Sequence, residues 1–257
     1  MTNMFGKLPK LLAENKASLG AWVTIGNPEV PEMLSLLGFD WLLFDVEHAP
    51  LDFQVLEYML MGVRGETTPL VRVPFNDPVY VKRVLDLGFA GVLFPLISRA
   101  EDAKLAVAST RYPPKGVRGV GPRRAAGYGL KTAEYFDRAG SVLVIVQIES
   151  QEAVKNIEGI LSVDGVDAFF IGPNDLSFSY GCRSWKEEVV RKAIERVVDV
   201  SRSLGVPGGM YCADDESLEF ALRMGLKLIA LGSDYRFLVA GAGSRLEKAR
   251  SLVGSLP

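Results

Sequence analysis

Residues 39–50 read FDWLLFDVEHAP. Within this stretch, Trp41-Leu42-Leu43-Phe44 is a short apolar run closed by Asp45, and the only histidine of the chain, His48, follows three residues later. A run of that length with no polar alternation reads as a strand covered on both faces, which is the strand type of a parallel α/β sheet. Its end is abrupt, and the residues that end it are chemically able.

The same pattern recurs outward in both directions. Strands are expected near Leu19–Ile25, Trp41–Asp45, Leu70–Val73, Gly91–Leu96, Val142–Ile148, Ala168–Ile171, Gly208–Tyr211 and Lys227–Leu231. Amphipathic stretches with apolar spacings of three and four lie between them. In KEEVVRKAIERVVDVSRSLG, Val189, Val190, Ala193, Ile194, Val197 and Val198 form one stripe that Gly205 ends. In NDPVYVKRVLDLGF, Asp77 suits the N-cap, Pro78 the first helical position and Gly88 the C-terminal cap. Eight strand-plus-helix units in 257 residues predict an α/β fold, a (β/α)8 barrel, as one domain over 1–257. A doubly wound open sheet is the alternative, but no G-x-G-x-x-G follows the first strand.

Composition narrows the partners. The chain is 48% apolar with a net charge of −2, both signs interspersed, and no basic block, so nucleic acid is a poor partner. Its longest apolar runs, such as Val142–Val146, are too short to span a bilayer, and the N-terminal stretch lacks a signal-peptide apolar region. A cytoplasmic protein acting on a small molecule is expected. Cys182 and Cys212 are far apart, with no C-x-x-C and no second histidine for a zinc site. They read as reduced structural thiols, with a disulfide left open. The connection from Thr110 to Gly140, with RYPPKGVRGVGPRRAAGYG, is long and rich in Gly and Arg, which favours a functional loop.

Barrel active sites lie at the C-terminal ends of the strands. There the second strand offers Asp45 and His48, the third Arg72, the fifth Gln147 and Glu149, and the sixth Asp175. Two carboxylates from neighbouring strands, Glu149 and Asp175, repel unless a proton or cation lies between them, and such a pair suits a hard divalent ion. Each also has a plainer reading, Glu149 as an acid before a helix and Asp175 as a cap after Pro173. A carboxylate on one ring nitrogen of His48 would leave the other as a base, and Asp45 has the spacing for it. Otherwise His48 is a loop histidine. Arg72 is either a structural ion-pair partner or a holder of a carboxylate or oxyanion.

Together with these residues, VRVPFNDP, LDLGF, RYPPKGVRGVG, VQIES and VDGVDAFFIGPNDLS resemble the HpcH/HpaI family of metal-dependent pyruvate aldolases, from about Gly20 to Asp234. The resemblance implies a barrel of the phosphoenolpyruvate/pyruvate type with a last helix swapped between subunits, assembled as hexamers or trimers. It implies reversible cleavage of a 4-hydroxy-2-oxoacid, such as 4-hydroxy-2-oxoheptanedioate or 2-dehydro-3-deoxyglucarate, to pyruvate and an aldehyde. It places a divalent ion (Mg²⁺, Mn²⁺ or Co²⁺) on Glu149 and Asp175, an aspartate–histidine dyad on Asp45 and His48, and an arginine at the pyruvate oxygens on Arg72. It also places an aspartate contributed across a subunit interface on Asp86, and substrate contacts on Gln147, Gly172, Pro173 and Asn174. The loop sequence PRRAAGYG departs from the family pattern, and Arg124 within it is a candidate for an acidic substrate tail.

Rival readings are a coenzyme A thioester lyase of the citrate lyase β or malyl-CoA lyase type, oxaloacetate decarboxylation as a side activity, and a silent keto-acid-binding barrel. A Schiff-base aldolase needs a lysine on a strand, and Lys227 lies at the wrong end of the eighth. The C-terminal AGAGSRLEKARSLVGSLP suits a swapped helix or one packed on its own barrel.

Overall fold

The structure, a computed structural model, describes residues 5–254. Eight parallel strands close into a barrel in chain order: β1 (Ser18–Val23), β2 (Trp41–Asp45), β3 (Thr68–Arg72), β4 (Gly91–Phe94), β5 (Leu143–Ile148), β6 (Ala168–Ile171), β7 (Gly208–Tyr211) and β8 (Leu228–Ser233). The open-sheet alternative is thereby removed, because β1 pairs with β8 as well as with β2.

The period of two along a strand sorts its residues between two cores. Trp41 and Leu43 of β2, Leu70 of β3, Leu93 of β4, Leu143 and Ile145 of β5, and Phe170 of β6 fill the barrel interior. Their alternates Leu42, Phe44, Val71, Val92, Val144 and Phe169 pack outward against the helices. Both faces of each strand are apolar, so the runs lack alternation. Carried one step further, the same period turns Asp45, Arg72 and Gln147 inward, one layer above the interior core. Gly20 makes room for this packing, since a Cβ there would come within 2.1 Å of the Trp41 ring.

The helix signals are realised as chemistry requires. Asp77 accepts from Tyr80 N–H at the start of the helix Pro78–Leu87, and Gly88 ends it in the left-handed region. The helix Glu188–Leu204 buries Val190, Ala193, Ile194, Val197 and Val198, and Gly205 closes it at φ 71°. Val189, expected on that stripe, is instead exposed in the first turn. One element has no counterpart in the sequence reading. The short helix Leu8–Ala13 plugs the bottom of the barrel, where Leu8 joins the interior core and its N–H donates to Thr68 Oγ1.

Strand β4 stops at Phe94, not Leu96, because Leu96 takes a left-handed φ of 59°. That uncommon conformation for a leucine aims its N–H at the Glu149 carboxylate, 2.7 Å away. The long connection is ordered by the helix Thr132–Arg138 and by Arg118, whose side chain is fully buried and holds Asp86 Oδ1 at 2.7 Å. Cys182 and Cys212 are both free and buried, which excludes the disulfide, and burial pushes the Cys212 thiol up to about 12. Among the described residues no helix is long and apolar enough to cross a membrane.

Candidate active site

A cavity of about 530 Å³ opens at the C-terminal rim, within the usual size of small-molecule sites. Of the residues expected there, Asp45, His48, Arg72, Gln147, Gly172, Pro173, Asn174 and Asp175 line it. Trp22, Phe170 and Tyr211 form its apolar wall, with the Trp22 ring 6.2 Å from Phe170 and 5.8 Å from Tyr211, centroid to centroid.

Asp45 and Arg72 stand directly opposite each other in the β2–β3 ladder, and both turn inward. Arg72 Nε and Nη2 donate to the two Asp45 oxygens at 2.9 and 2.8 Å, while the guanidinium lies 4.2 Å from the Trp22 ring centre. This two-pronged pair is about 95% buried on both sides. It corrects the expected Asp45–His48 side-chain pairing. A neutral imidazole does not displace a charge-assisted fork, so Asp45 reaches His48 only through the main chain, accepting from the N–H groups of Glu47 and His48 at 3.1 and 3.4 Å. Asp45 thus shapes the turn that carries His48 and leaves its ring to itself. That ring is 68% exposed at the lip of the cavity, 4.0 Å from Glu47 Oε2.

Glu47 is a participant that sequence reasoning passed over. Its Oε2 lies 2.7 Å from Arg72 Nη1, yet the contact lacks hydrogen-bond geometry and the oxygen has no hydrogen-bond partner. Burial raises the Glu47 carboxyl above its ordinary range, Arg72 opposes this, and Glu149 adds to the rise. Its place in DVEHAP carries no period or motif that would single it out.

Glu149 follows β5 and is buried against Gly172, where an added Cβ would meet Gln147 Nε2 at 3.0 Å and Glu149 Oε2 at 3.3 Å. Gln147 Nε2 donates to one of its oxygens and Leu96 N–H to the other. Burial raises the Glu149 carboxyl, and the nearby Asp175 charge raises it further. Asp175 sits exposed in the first turn of the helix Pro173–Ser179. Gln147 Oε1 is buried and has no hydrogen-bond partner among the described residues.

Three expected residues are not among those that line the cavity: Glu149, buried against Gly172, and the more remote Asp86 and Arg124. Asp86 is held by Arg118 beneath the long connection, and Arg124 Nη1 donates to the Leu87 carbonyl 2.7 Å away, closing the end of the helix Pro78–Leu87. Arg124 is drawn there because terminal helix carbonyls lack intrahelical donors. Neither is visible in sequence spacing, since both follow from how that connection folds back.

Among the described residues no lysine lines the cavity, which offers carboxylates, two arginines and a histidine. The family model of HpcH/HpaI aldolase/citrate lyase matches residues 18–240, and the chain belongs to that family as an aldolase-type lyase. It is 39% identical over 231 residues to the 5-keto-4-deoxy-D-glucarate aldolase of Escherichia coli strain K12, covering 89% of this chain and 90% of that one. Among solved structures, a HpcH/HpaI aldolase/citrate lyase family protein of Burkholderia cenocepacia J2315 superposes with a TM-score of 0.91 at 33% identity, covering 95% and 99% of the two chains. The HpcH/HpaI aldolase of Desulfitobacterium hafniense DCB-2 gives 0.85 at 29% identity, covering 97% of each.

Proposed function

We propose that this chain is a class II pyruvate aldolase, cleaving a 4-hydroxy-2-oxoacid reversibly to pyruvate and an aldehyde. One observation carries the reading: Asp175, Gln147 and the buried Arg72 line one cavity, and a second carboxylate, Glu149, lies buried against its wall at Gly172, close enough to feel the Asp175 charge. The donors are all hard oxygens, and among the described residues no group of three or more His, Cys, Asp or Glu forms a closed metal cage. Two carboxylates with positions left for water and substrate oxygens fit Mg²⁺, Mn²⁺ or Co²⁺, which Glu149 and Asp175 would hold. When bound, the ion supplies a Lewis acid beside the pyruvate carboxylate and keto oxygen.

The chain's own residues do the rest. Arg72, fixed by Asp45 and Trp22, adds positive charge where the enolate forms, its Nη1 end being the one without a hydrogen bond to Asp45. The Gln147 amide holds Glu149 in place, and Gly172, Pro173 and Asn174 shape the wall around the bound oxoacid. His48 takes the proton of the 4-hydroxyl as the C3–C4 bond breaks, and its electron pair passes into the enolate. The aldehyde leaves, and protonation at C3 completes pyruvate. Synthesis runs the same steps backward. The setting is the cytoplasm.

Proton NMR of pyruvate in heavy water tests this without choosing an aldehyde. Loss of the methyl signal is expected with Mg²⁺ or Mn²⁺, abolished by chelator and by Glu149→Gln. Exchange that survives chelation would remove the metal role, and no exchange in any condition would return the thioester lyase and the silent barrel.

The same reading makes the protein a homo-oligomer. The helix Asp234–Gly254 stays on its barrel as far as Phe237, which stacks on Phe39, and beyond it exposes Leu238, Val239, Leu246 and Val253. Packing on its own barrel would have buried those side chains, whereas a second copy can cover them. Asp86 and Arg124, remote from their own cavity, fit the same assembly. Sedimentation velocity should show a trimer or hexamer, and a monomer at micromolar concentration would refute it.

A further inference from the structure

The cavity wall carries two arginines, and among the described residues only one of them makes ion pairs. Arg72 is tied to Asp45 and faces Glu47. The other, Arg236, makes no ion pair among the described residues, and its one hydrogen bond runs from Nε to the Tyr235 hydroxyl at 3.3 Å. The nearest acid in sequence, Asp234, is already saturated, accepting from Thr24 N–H and Oγ1, Ile25 N–H and Tyr235 N–H, all within 2.8 Å. Those bonds clamp the start of the last helix to the end of β1 and fix the backbone from which Arg236 reaches into the cavity.

The position is also informative. Arg236 follows β8, three strands round the closed barrel from β5, which positions Gln147 and Glu149. Asp175 and Arg236 line the same cavity, so a ligand held by its oxoacid end at Asp175 has Arg236 on the wall around its remaining length. The hydroxyl-bearing side chains of Tyr211, Ser233 and Tyr235 line the wall beside it. A forked cation beside hydroxyl donors is the chemistry that recognises a carboxylate.

Resting on the aldolase reading above, we infer that Arg236 is a specificity-determining residue that binds the carboxylate at the far end of the substrate, the end released in the aldehyde. It takes the part that the sequence assigned to Arg124, which the fold spends on a helix terminus.

The test compares paired ligands that differ only in that carboxylate. In the synthesis direction with pyruvate, wild type should favour succinic semialdehyde over butanal. Arg236→Gln should lower that kcat/KM ratio about 10- to 100-fold, the range for losing one charge-assisted contact, and Arg236→Lys should restore part of it. Calorimetric titration with 2-oxoadipate and 2-oxohexanoate, both with Mg²⁺, should show the same loss of preference. An unchanged ratio in both measurements overturns the role of Arg236. An equal loss for both members of each pair overturns it as well, because the effect is then structural. Wild type that fails to exchange pyruvate protons overturns the aldolase reading instead, and the calorimetric pair still decides whether Arg236 holds a carboxylate.

Discussion

Asp45→Asn should destabilise the protein by about 3–5 kcal/mol, the usual cost of removing one partner from a buried ion pair. The asparagine keeps the shape but offers one acceptor in place of two charged ones. Arg72, with only about 5% of its side chain exposed, is then left with Glu47 as its anionic neighbour, in a contact without hydrogen-bond geometry. The turn loses strength too, since Asp45 Oδ1 accepts from two main-chain N–H groups. Urea unfolding measures the effect. The double variant Asp45→Asn with Arg72→Met should recover part of the stability, because the stranded charge is gone, while cleavage activity stays lost. A loss below about 1 kcal/mol in the single variant would mean that water reaches the pair and that its burial is not structural.

His48→Ala should do the opposite. The ring is largely exposed and makes no side-chain hydrogen bond with Asp45, so stability should stay within about 0.5 kcal/mol of wild type. Aldol cleavage should fall about 10²- to 10⁴-fold, the span for a positioned general base. Steady-state cleavage and unfolding on the same preparation separate the two effects. Near-full cleavage by His48→Ala would assign the 4-hydroxyl proton to another group, for which Glu47, with its unpartnered oxygen and raised pKa, stands nearest. The contrast between the variants is itself informative. If Asp45 and His48 worked as a hydrogen-bonded side-chain pair, the two would fail together at catalysis with similar and modest effects on stability.

Much of the fold was legible because parallel strands write themselves as apolar runs. The β2 span Trp41–Asp45 coincides with the expected strand, as do Ala168–Ile171 and Gly208–Tyr211. Boundaries slipped where tertiary contacts override propensity. Leu96 leaves β4 early to give its N–H to Glu149, and β8 runs on to Ser233, where β1 pairs with it across a register shift. The helix Leu8–Ala13 escaped notice because six residues carry too little periodicity, and its reason for existing is the open bottom of the barrel.

For the site, the residue types at the strand ends were readable one by one. The period of two told which of them face inward, but nothing local told which of them meet. Asp45 lies three residues from His48 and 27 from Arg72, and the spacing favoured the nearer partner. The ladder register decided for Arg72, because residues directly opposite on adjacent strands share one face at close range. Glu47 and Arg236 had no sequence signal at all, since each matters only through what surrounds it.

By itself, then, the sequence determined the eight repeated units, the apolar strand type, the identity of the rim residues and the family, all of which are properties of a chain read in order. The tertiary structure decided the pairing of Asp45 with Arg72, the diversion of Arg124 and Asp86 away from their own cavity, and the placing of Arg236 on the cavity wall with no ion pair among the described residues. Those follow from which side chains the closed barrel brings within a few ångströms, and charge-assisted contacts at that range outweigh any preference encoded by neighbours in the chain.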